Sequence, residues 1–219
     1  MVQPIETILG PMNSGKSTEL IRRLKRESIA GAHIVVIKPK IDNRSQQKIE
    51  SRDGLDLPAH EASSSEELLL TVIDEIHQHP RKRIVVGIDE AQFFDSNLPD
   101  TLRFIARELD TNVVVSGLLR DFRGEPFGPM PLILAYSQNI TTLTAICTHI
   151  DPVTNEICGS DATETYRSVN NAPADWNDSI VLTGDVQEGY GSRCPEHHLV
   201  TNRPPSIDNP AISSLKKDA

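Results

Sequence analysis

The segment Gly10-Pro11-Met12-Asn13-Ser14-Gly15-Lys16-Ser17 fits the pattern G-x-x-x-x-G-K-[ST] and constrains the fold more than any other feature of the chain. The pattern is loose enough to arise by chance, so its surroundings decide its meaning. An apolar run, Ile5 to Leu9, precedes it, interrupted by Glu6 and Thr7. A segment with Leu20, Ile21 and Leu24 on one face follows, Arg22, Arg23 and Lys25 being turned elsewhere. Strand, loop and helix in that order form a phosphate cradle: the glycines let successive N–H groups face phosphate oxygens, and the helix start adds its positive dipole end. Lys16 would then reach the β- and γ-phosphates of a nucleotide, and Ser17 would hold Mg²⁺. The competing reading, a glycine turn with an exposed lysine, does not account for the flanking elements.

Three more short apolar runs, Ile34 to Ile37, Ile84 to Ile88 and Val113 to Val115, show little alternation. Strands covered on both faces in a parallel sheet read this way. Between them the spacing predicts helices. One starts at Ser63-Ser64-Ser65-Glu66, keeps Leu68, Leu69, Val72 and Ile76 on one face, and stops before Pro80. Another spans Leu98 to Leu109. The expected fold is an α/β parallel sheet flanked by helices, of the P-loop nucleotide-binding type, over residues 1–145. Lys40 to Ala62 is polar and long for a connection, which suggests a working loop. Beyond Ala145 all three cysteines appear among Pro, Asn, Asp and Gly, so residues 146–200 are expected to form a small second unit. Residues 201–219 are expected to be a disordered tail.

The run Ile84 to Ile88 ends in Asp89-Glu90. An acid at the end of a strand beside a phosphate loop serves Mg²⁺ through its waters, which suits Asp89. Glu90 would lie beside the γ-phosphate, where a carboxylate can accept a proton from an attacking oxygen. Two solvated acids at a strand end are the plainer reading. The pair also leaves the nucleophile open, since the same carboxylate could activate water or a substrate hydroxyl.

Composition narrows the classes. A net charge of -9 argues against a protein that grips polynucleotide, because that binding rests on Lys and Arg. No run approaches the roughly 20 apolar residues of a membrane span. The start, Met1-Val2-Gln3-Pro4, lacks a basic segment followed by an apolar one, so the expected location is cytoplasmic. Three cysteines in such a chain point to metal binding or to buried free thiols rather than a disulfide framework.

Gly10 to Leu20, Ile88-Asp89-Glu90-Ala91-Gln92-Phe93-Phe94 and Pro126-Phe127-Gly128 together resemble the type II thymidine kinase family. Leu143-Thr144-Ala145-Ile146-Cys147, Thr165-Tyr166-Arg167 and Tyr190 before Cys194 extend the resemblance over about residues 5 to 198. It implies transfer of the γ-phosphoryl group of ATP to the 5′-hydroxyl of thymidine, with deoxyuridine as a second substrate, in nucleotide salvage. It implies Glu90 as general base, Asp89 with Ser17 as the magnesium-associated pair, and Thr18 and Gln92 beside the Gly10–Ser17 loop in the ATP site. Asp42 and Arg44 match a pair near the phosphates. Met12, Phe93, Leu118, Phe122 and Phe127 match the nucleoside pocket, where a flat base wants aromatic and aliphatic walls. Thr165 and Tyr190 match a lasso that closes over the nucleoside and excludes water. Without the resemblance, Met12, Phe93, Leu118 and Phe122 read as ordinary core.

The resemblance further implies a homotetramer and a structural Zn²⁺ site formed by Cys147, Cys158, Cys194 and His197. Here the sequence departs from the family, which has C-x-x-C where this chain places ten residues between Cys147 and Cys158. A hairpin over Ile150 to Glu156 would reunite the sulfurs. His149 and His198 are rival ligands. A second departure, Asn170 to Asp178, lengthens the hairpin that precedes the lasso. Two other functions compete with the kinase. A motor ATPase would use the same loop and Asp89-Glu90, and a zinc-bearing nucleic-acid module is disfavoured by the acidic charge and the single Trp.

Overall fold

The computed structural model describes residues 3–40, 48–51, 54–180 and 188–205. In chain order the first part comprises β1 (Ile5–Leu9), α1 (Lys16–Ile29), β2 (His33–Pro39), β3 (Lys48–Glu50), β4 (Asp56–Pro58), β5 (His60–Ala62), α2 (Ser65–Gln78) and β6 (Ile84–Ile88). It continues with α3 (Leu98–Arg107), β7 (Asn112–Gly117), α4 (Met130–Tyr136) and β8 (Asn139–Thr142). Six strands form one sheet in the order β5-β2-β6-β7-β1-β8, and every pairing within it is parallel. The expected α/β class is thus the observed one. All four predicted strands are present. β5 and β8 were not foreseen, being short and poor in apolar residues.

Both faces of the sheet are covered, which explains the continuous apolar runs. On one face Leu20, Ile21 and Leu24 of α1 pack on Ile8, Val36, Val85 and Val114. On the other, α2, α3 and α4 bury Leu68, Leu102, Ile105 and Ile133 against Val86, Ile88, Val113 and Val115. Gly87 lets α1 approach closely, because a methyl group there would overlap Leu24 Cδ1. The start of α2 follows the serine signal: the Ser64 hydroxyl accepts from the Glu67 amide at 3.2 Å, while the Ser63 amide donates to Glu67 Oε2 at 2.7 Å.

The second part starts with β9 (Ala145–Ile146), which pairs with β10 (Asp161–Ala162). β11 (Glu164–Val169) then lies between β12 (Ala172–Pro173) and β13 (Glu188–Arg193), antiparallel to both. The lengthened segment around Trp176 folds back on this sheet: Trp176 N donates to Thr201 O at 2.9 Å, and Thr201 N donates to Ala174 O at 3.0 Å. Thr201 and Asn202, at the start of the expected tail, thus bond to the segment 174–176; 206–219 lie outside the described residues.

Candidate active site

The phosphate loop, the acid pair and the aromatic cluster all lie at or just beyond the C-terminal ends of β1, β6 and β7, where a parallel sheet presents its ligands. β1 delivers the chain to Gly10, whose added Cβ would overlap Ser14 Oγ and crowd the Leu143 carbonyl oxygen at 2.7 Å. Only glycine lets the loop turn so tightly there. Asn13 and Gly15 adopt left-handed backbone at φ 64° and 82°, and α1 opens on Lys16. Lys16 is buried and donates from Nζ to its own loop's Pro11 carbonyl at 2.8 Å. Burial pulls its ammonium below the usual lysine range, opposed by the charges of Glu90 and Asp89. Ser14 Oγ is buried and makes no hydrogen bond among the described residues. A buried ammonium and an unsatisfied hydroxyl in one concave loop fit a bound polyphosphate.

Ser17 donates to Asp89 Oδ2 at 2.8 Å, joining the start of α1 to the end of β6. Asp89 is itself buried; its Oδ1 accepts from Ser116 Oγ on β7 and from the Glu90 amide at 3.0 Å. This hydroxyl–carboxylate pair fits a Mg²⁺ ion on the loop side. Ser116 was not singled out in the sequence; a lone serine ending a valine run gives no signal.

Glu90 is next, in left-handed backbone at φ 51° and ψ 42°. For a residue with a side chain this conformation costs on the order of 1 kcal/mol or more, and such strain gathers at working sites. It starts a single 3₁₀ turn, Ala91–Phe93, that carries Gln92 back toward the carboxylate. Gln92 Nε2 donates to Glu90 Oε2, and Gln92 Oε1 accepts from the Leu118 amide at 3.0 Å. Two close approaches hold Gln92 in place: a methyl group on Gly117 would press on its Oε1 at 2.8 Å, and one on Gly128, at φ 50°, would overlap its carbonyl oxygen. The Pro126-Phe127-Gly128 motif thus serves to seat Gln92, and Phe127 meets Phe93 edge to face at 5.4 Å.

Leu118 and Phe122 are buried on the connection after β7; Met12, on the phosphate loop, donates its amide to Thr165 Oγ1 of β11 at 3.3 Å. Phe122 sits on a turn closed by Asp121, which accepts from the amides of Arg123 and Glu125 at 2.8 and 3.1 Å and pairs with the Arg123 guanidinium at 2.7 Å. His198 Nε2 donates to the Phe122 carbonyl at 2.8 Å. Arg167 on β11 lies over the Phe122 ring at 5.3 Å and the Tyr190 ring at 5.9 Å. Tyr190 donates its hydroxyl to the Ile180 carbonyl at 2.9 Å. Asp121 was missed in the sequence, and Arg167 entered there only as part of the Thr165-Tyr166-Arg167 motif, with no role of its own. Thr18 lies on the first turn of α1. Asp42 and Arg44 lie outside the described residues.

Away from this cleft, Cys147, Cys158, Cys194 and His197 converge, their ligand atoms all within 4.8 Å of one another. The expected hairpin is present: Ile150 bridges Ile157, and the Cys158 amide donates to the His149 carbonyl at 2.8 Å. Cys158 and Cys194 sulfurs stand 4.0 Å apart, and His197 Nδ1 is 3.2 Å from Cys194 Sγ and 3.7 Å from Cys147 Sγ. Zinc bonds of about 2.3 Å to sulfur and 2.0 Å to nitrogen place tetrahedral ligands roughly 3.5–3.8 Å apart, so the set fits zinc. The Ser160 hydroxyl and amide hold the Cys158 thiol down at about 6, favouring the thiolate a metal requires. Of the rival ligands, His149 stacks on the His197 ring at 4.0 Å and His198 is committed to Phe122.

Comparison with known proteins places this geometry. The family model described as thymidine kinase matches residues 3–198. Thymidine kinases of Ureaplasma parvum serovar 3 and Ureaplasma urealyticum serovar 10 are 44% identical over 200 residues, covering 91% of this chain and 84% of theirs. That of Mycoplasmoides gallisepticum is 42% identical over 201 residues, covering 91% and 83%. Among solved structures, an ATPase domain matches at 13% identity and a TM-score of 0.49, covering 87% of this chain and 80% of that one.

Proposed function

The chain belongs to the thymidine kinase family and phosphorylates thymidine at the expense of ATP, a salvage reaction, and we propose that Glu90 is the base that accepts the proton of the attacking 5′-hydroxyl. One observation carries the assignment: Glu90 stands where two hydrogen-bond chains meet. One starts at the Glu90 amide and runs through Asp89 to Ser17 of the phosphate loop; the other starts at the Glu90 carboxylate and runs through Gln92 to Leu118 of the aromatic wall. The backbone is thus fixed from the phosphate side and the carboxylate from the nucleoside side, which supports a base acting between the two.

In this reading Lys16 and the Gly10–Thr18 amides and hydroxyls hold the β- and γ-phosphates. Ser17 and Asp89 hold Mg²⁺, which when bound would neutralise charge on the transferring group. The nucleoside lies against Met12, Phe93, Leu118, Phe122 and Phe127, with Thr165 and Tyr190 closing over it. Glu90 takes the hydroxyl proton as the 5′-oxygen bonds to the γ-phosphorus and the bond to the β–γ bridging oxygen breaks, leaving ADP. Gln92 keeps the Glu90 carboxylate aimed. Asp42 and Arg44 are proposed at the phosphates by family resemblance alone, and deoxyuridine as a second substrate on the same ground.

Residues 1–145 would then supply the ATP site and 146–200 the nucleoside cover, which Cys147, Cys158, Cys194 and His197 would staple around zinc, four protein ligands leaving no open position for chemistry. A homotetramer in the cytoplasm completes the proposal; no helix among the described residues is long and apolar enough to cross a membrane. The test is product analysis with Mg-ATP and thymidine, alongside a reaction lacking nucleoside. The wild-type protein should make thymidine monophosphate and little ADP without nucleoside. Glu90→Gln should lose about 10²–10⁴-fold in turnover while nucleotide binding persists. Unchanged turnover in that variant would remove Glu90 from the chemistry, and equal ADP formation without thymidine would favour the motor ATPase.

A further inference from the structure

At one side of the sheet, at the end away from the phosphate loop, α2, the edge strand β5 and its neighbour β2 bring three imidazoles around one carboxylate. His33 opens β2, so it lies at the strand end opposite the loops that carry the active site. Its Nε2 is 2.8 Å from Glu75 Oε2. His79, one helical turn after Glu75 at the end of α2, places Nδ1 3.4 Å from the same oxygen. His60 of β5 places Nε2 3.4 Å from the other oxygen, Glu75 Oε1. The His33 and His79 rings stack at 3.6 Å, 19° from parallel. Ligand atoms of His33, Glu75 and His79 all lie within 4.8 Å of one another, and the side chains remain 15–35% exposed, so an ion can reach them.

We propose that His33, Glu75 and His79 form a second transition-metal site, of zinc type, with His60 or a water as the fourth ligand. The donor set is right for it: neutral imidazole nitrogens and one carboxylate oxygen suit Zn²⁺ and its first-row neighbours. Bonds of about 2.0–2.1 Å put tetrahedral donors roughly 3.3 Å apart; the His79 and His60 nitrogens already stand 3.4 Å from the Glu75 oxygens, and the 2.8 Å His33 contact, a hydrogen bond here, would open as the ion enters. His79 Nδ1 also faces the Glu75 carbonyl oxygen at 3.0 Å, so metal entry exchanges that hydrogen bond for a coordinate bond and leaves the ring proton on Nε2. A groove of about 480 Å³, lined by His33, His60, Glu61 and Glu75, gives access and adds a further acid at its rim. The site would clamp the last turn of α2 to β2 and to β5, the edge strand that pairs with β2 alone.

The full-length protein as purified, with any tightly held metal left in place, is titrated with Zn²⁺ by calorimetry. The wild-type chain should take up one further equivalent, and its melting temperature should rise with added Zn²⁺. The double variant His33→Asn/His79→Asn and the single variant Glu75→Gln should lose that equivalent and the rise. His77→Asn, an exposed histidine on the same helix but outside the cluster, should keep both. Thymidine phosphorylation without added Zn²⁺ should be unchanged in all of them. Absence of uptake by the wild-type chain, or uptake retained by the double variant, would show that the cluster is only a set of histidine–carboxylate pairs. If the double variant does not fold, diethyl pyrocarbonate labelling of the wild type replaces it: Zn²⁺ should protect His33 and His79 but not His77, and equal labelling overturns the site. The readout is a difference at named histidines, so it stands apart from the Cys147–His197 assignment and from the roles given to Glu90.

Discussion

Replacing Gln92 by Leu removes one donor and one acceptor from the centre of the cleft without touching a phosphate ligand. The lost bond to Glu90 is charge-assisted, a class worth about 1.5–3 kcal/mol. If that bond aims the carboxylate during proton transfer, turnover should fall by about 10- to 150-fold, at 1.36 kcal/mol per decade. The Michaelis constant for ATP should change little, because Lys16 and Ser17 are untouched. Stability should fall as well, by about 1–3 kcal/mol, since the Leu118 amide is left buried without its acceptor. A purely structural residue would show that second loss, so Gln92→Glu is needed beside it. The carboxylate can still accept from Leu118 but places a second acid against Glu90. Two adjoining carboxylates resist ionising together, so the acid limb of the kcat–pH profile should move to higher pH. Steady-state kinetics across pH 5 to 9, with melting curves on the same samples, decide the matter. Turnover within twofold of wild type in Gln92→Leu, or superimposable pH profiles in Gln92→Glu, would refute the positioning role.

Two other outcomes are expected. Cys194→Ser should lose bound zinc and make the segment around Tyr190 more sensitive to limited proteolysis, while Mg-ATP still binds; full zinc content by mass spectrometry would refute that ligand. Glu19 is held at about 2, against an ordinary value of 4.5, by hydrogen bonds from Arg22 and then Arg23, with their positive charges adding to the effect. A depressed carboxyl stabilises the fold fully above its unfolded value and loses that contribution as pH falls toward its folded one. Glu19→Gln should therefore flatten the pH dependence of urea unfolding between about 4.5 and 2 and leave the loss at still lower pH unchanged; parallel curves for both proteins would show that the pair contributes nothing. Most of the Arg22 contact is in solvent, so the effect should be small.

The parts of this molecule legible in the sequence are those where one local pattern fixes the outcome. Covered parallel strands must be apolar on both faces, so Ile84 to Ile88 and Val113 to Val115 announce themselves, and Ser64 with Glu67 marks a helix start. The phosphate loop is legible because its job is done by backbone, and only a few residue types allow that backbone. β5 and β8 carry no such constraint. Each lies at an edge of the sheet, and β8 is tied in partly by side chains: Arg23 reaches from α1 to Thr141 at 2.7 Å and to Glu6 at 2.9 Å.

The same reasoning separates the site residues. Asp89 and Glu90 stand out because two acids end an apolar strand, yet what makes Glu90 useful comes from three distant places. Ser116 and Leu118 follow from β7, Gly128 lies beyond the next turn, and the loop serine is on α1. None of these has a sequence spacing to Glu90 that physics fixes; parallel strands β6 and β7 bring them together through a crossover helix of variable length. Asp121 and Arg167 show the extreme case, charged residues buried only because one closes the turn under Phe122 and the other caps its ring. Their charges serve geometry, so their substitution should disturb nucleoside affinity before it disturbs ATP affinity. Glu90, joined to both sides of the cleft, differs from them: its substitution should cost turnover while nucleotide binding persists.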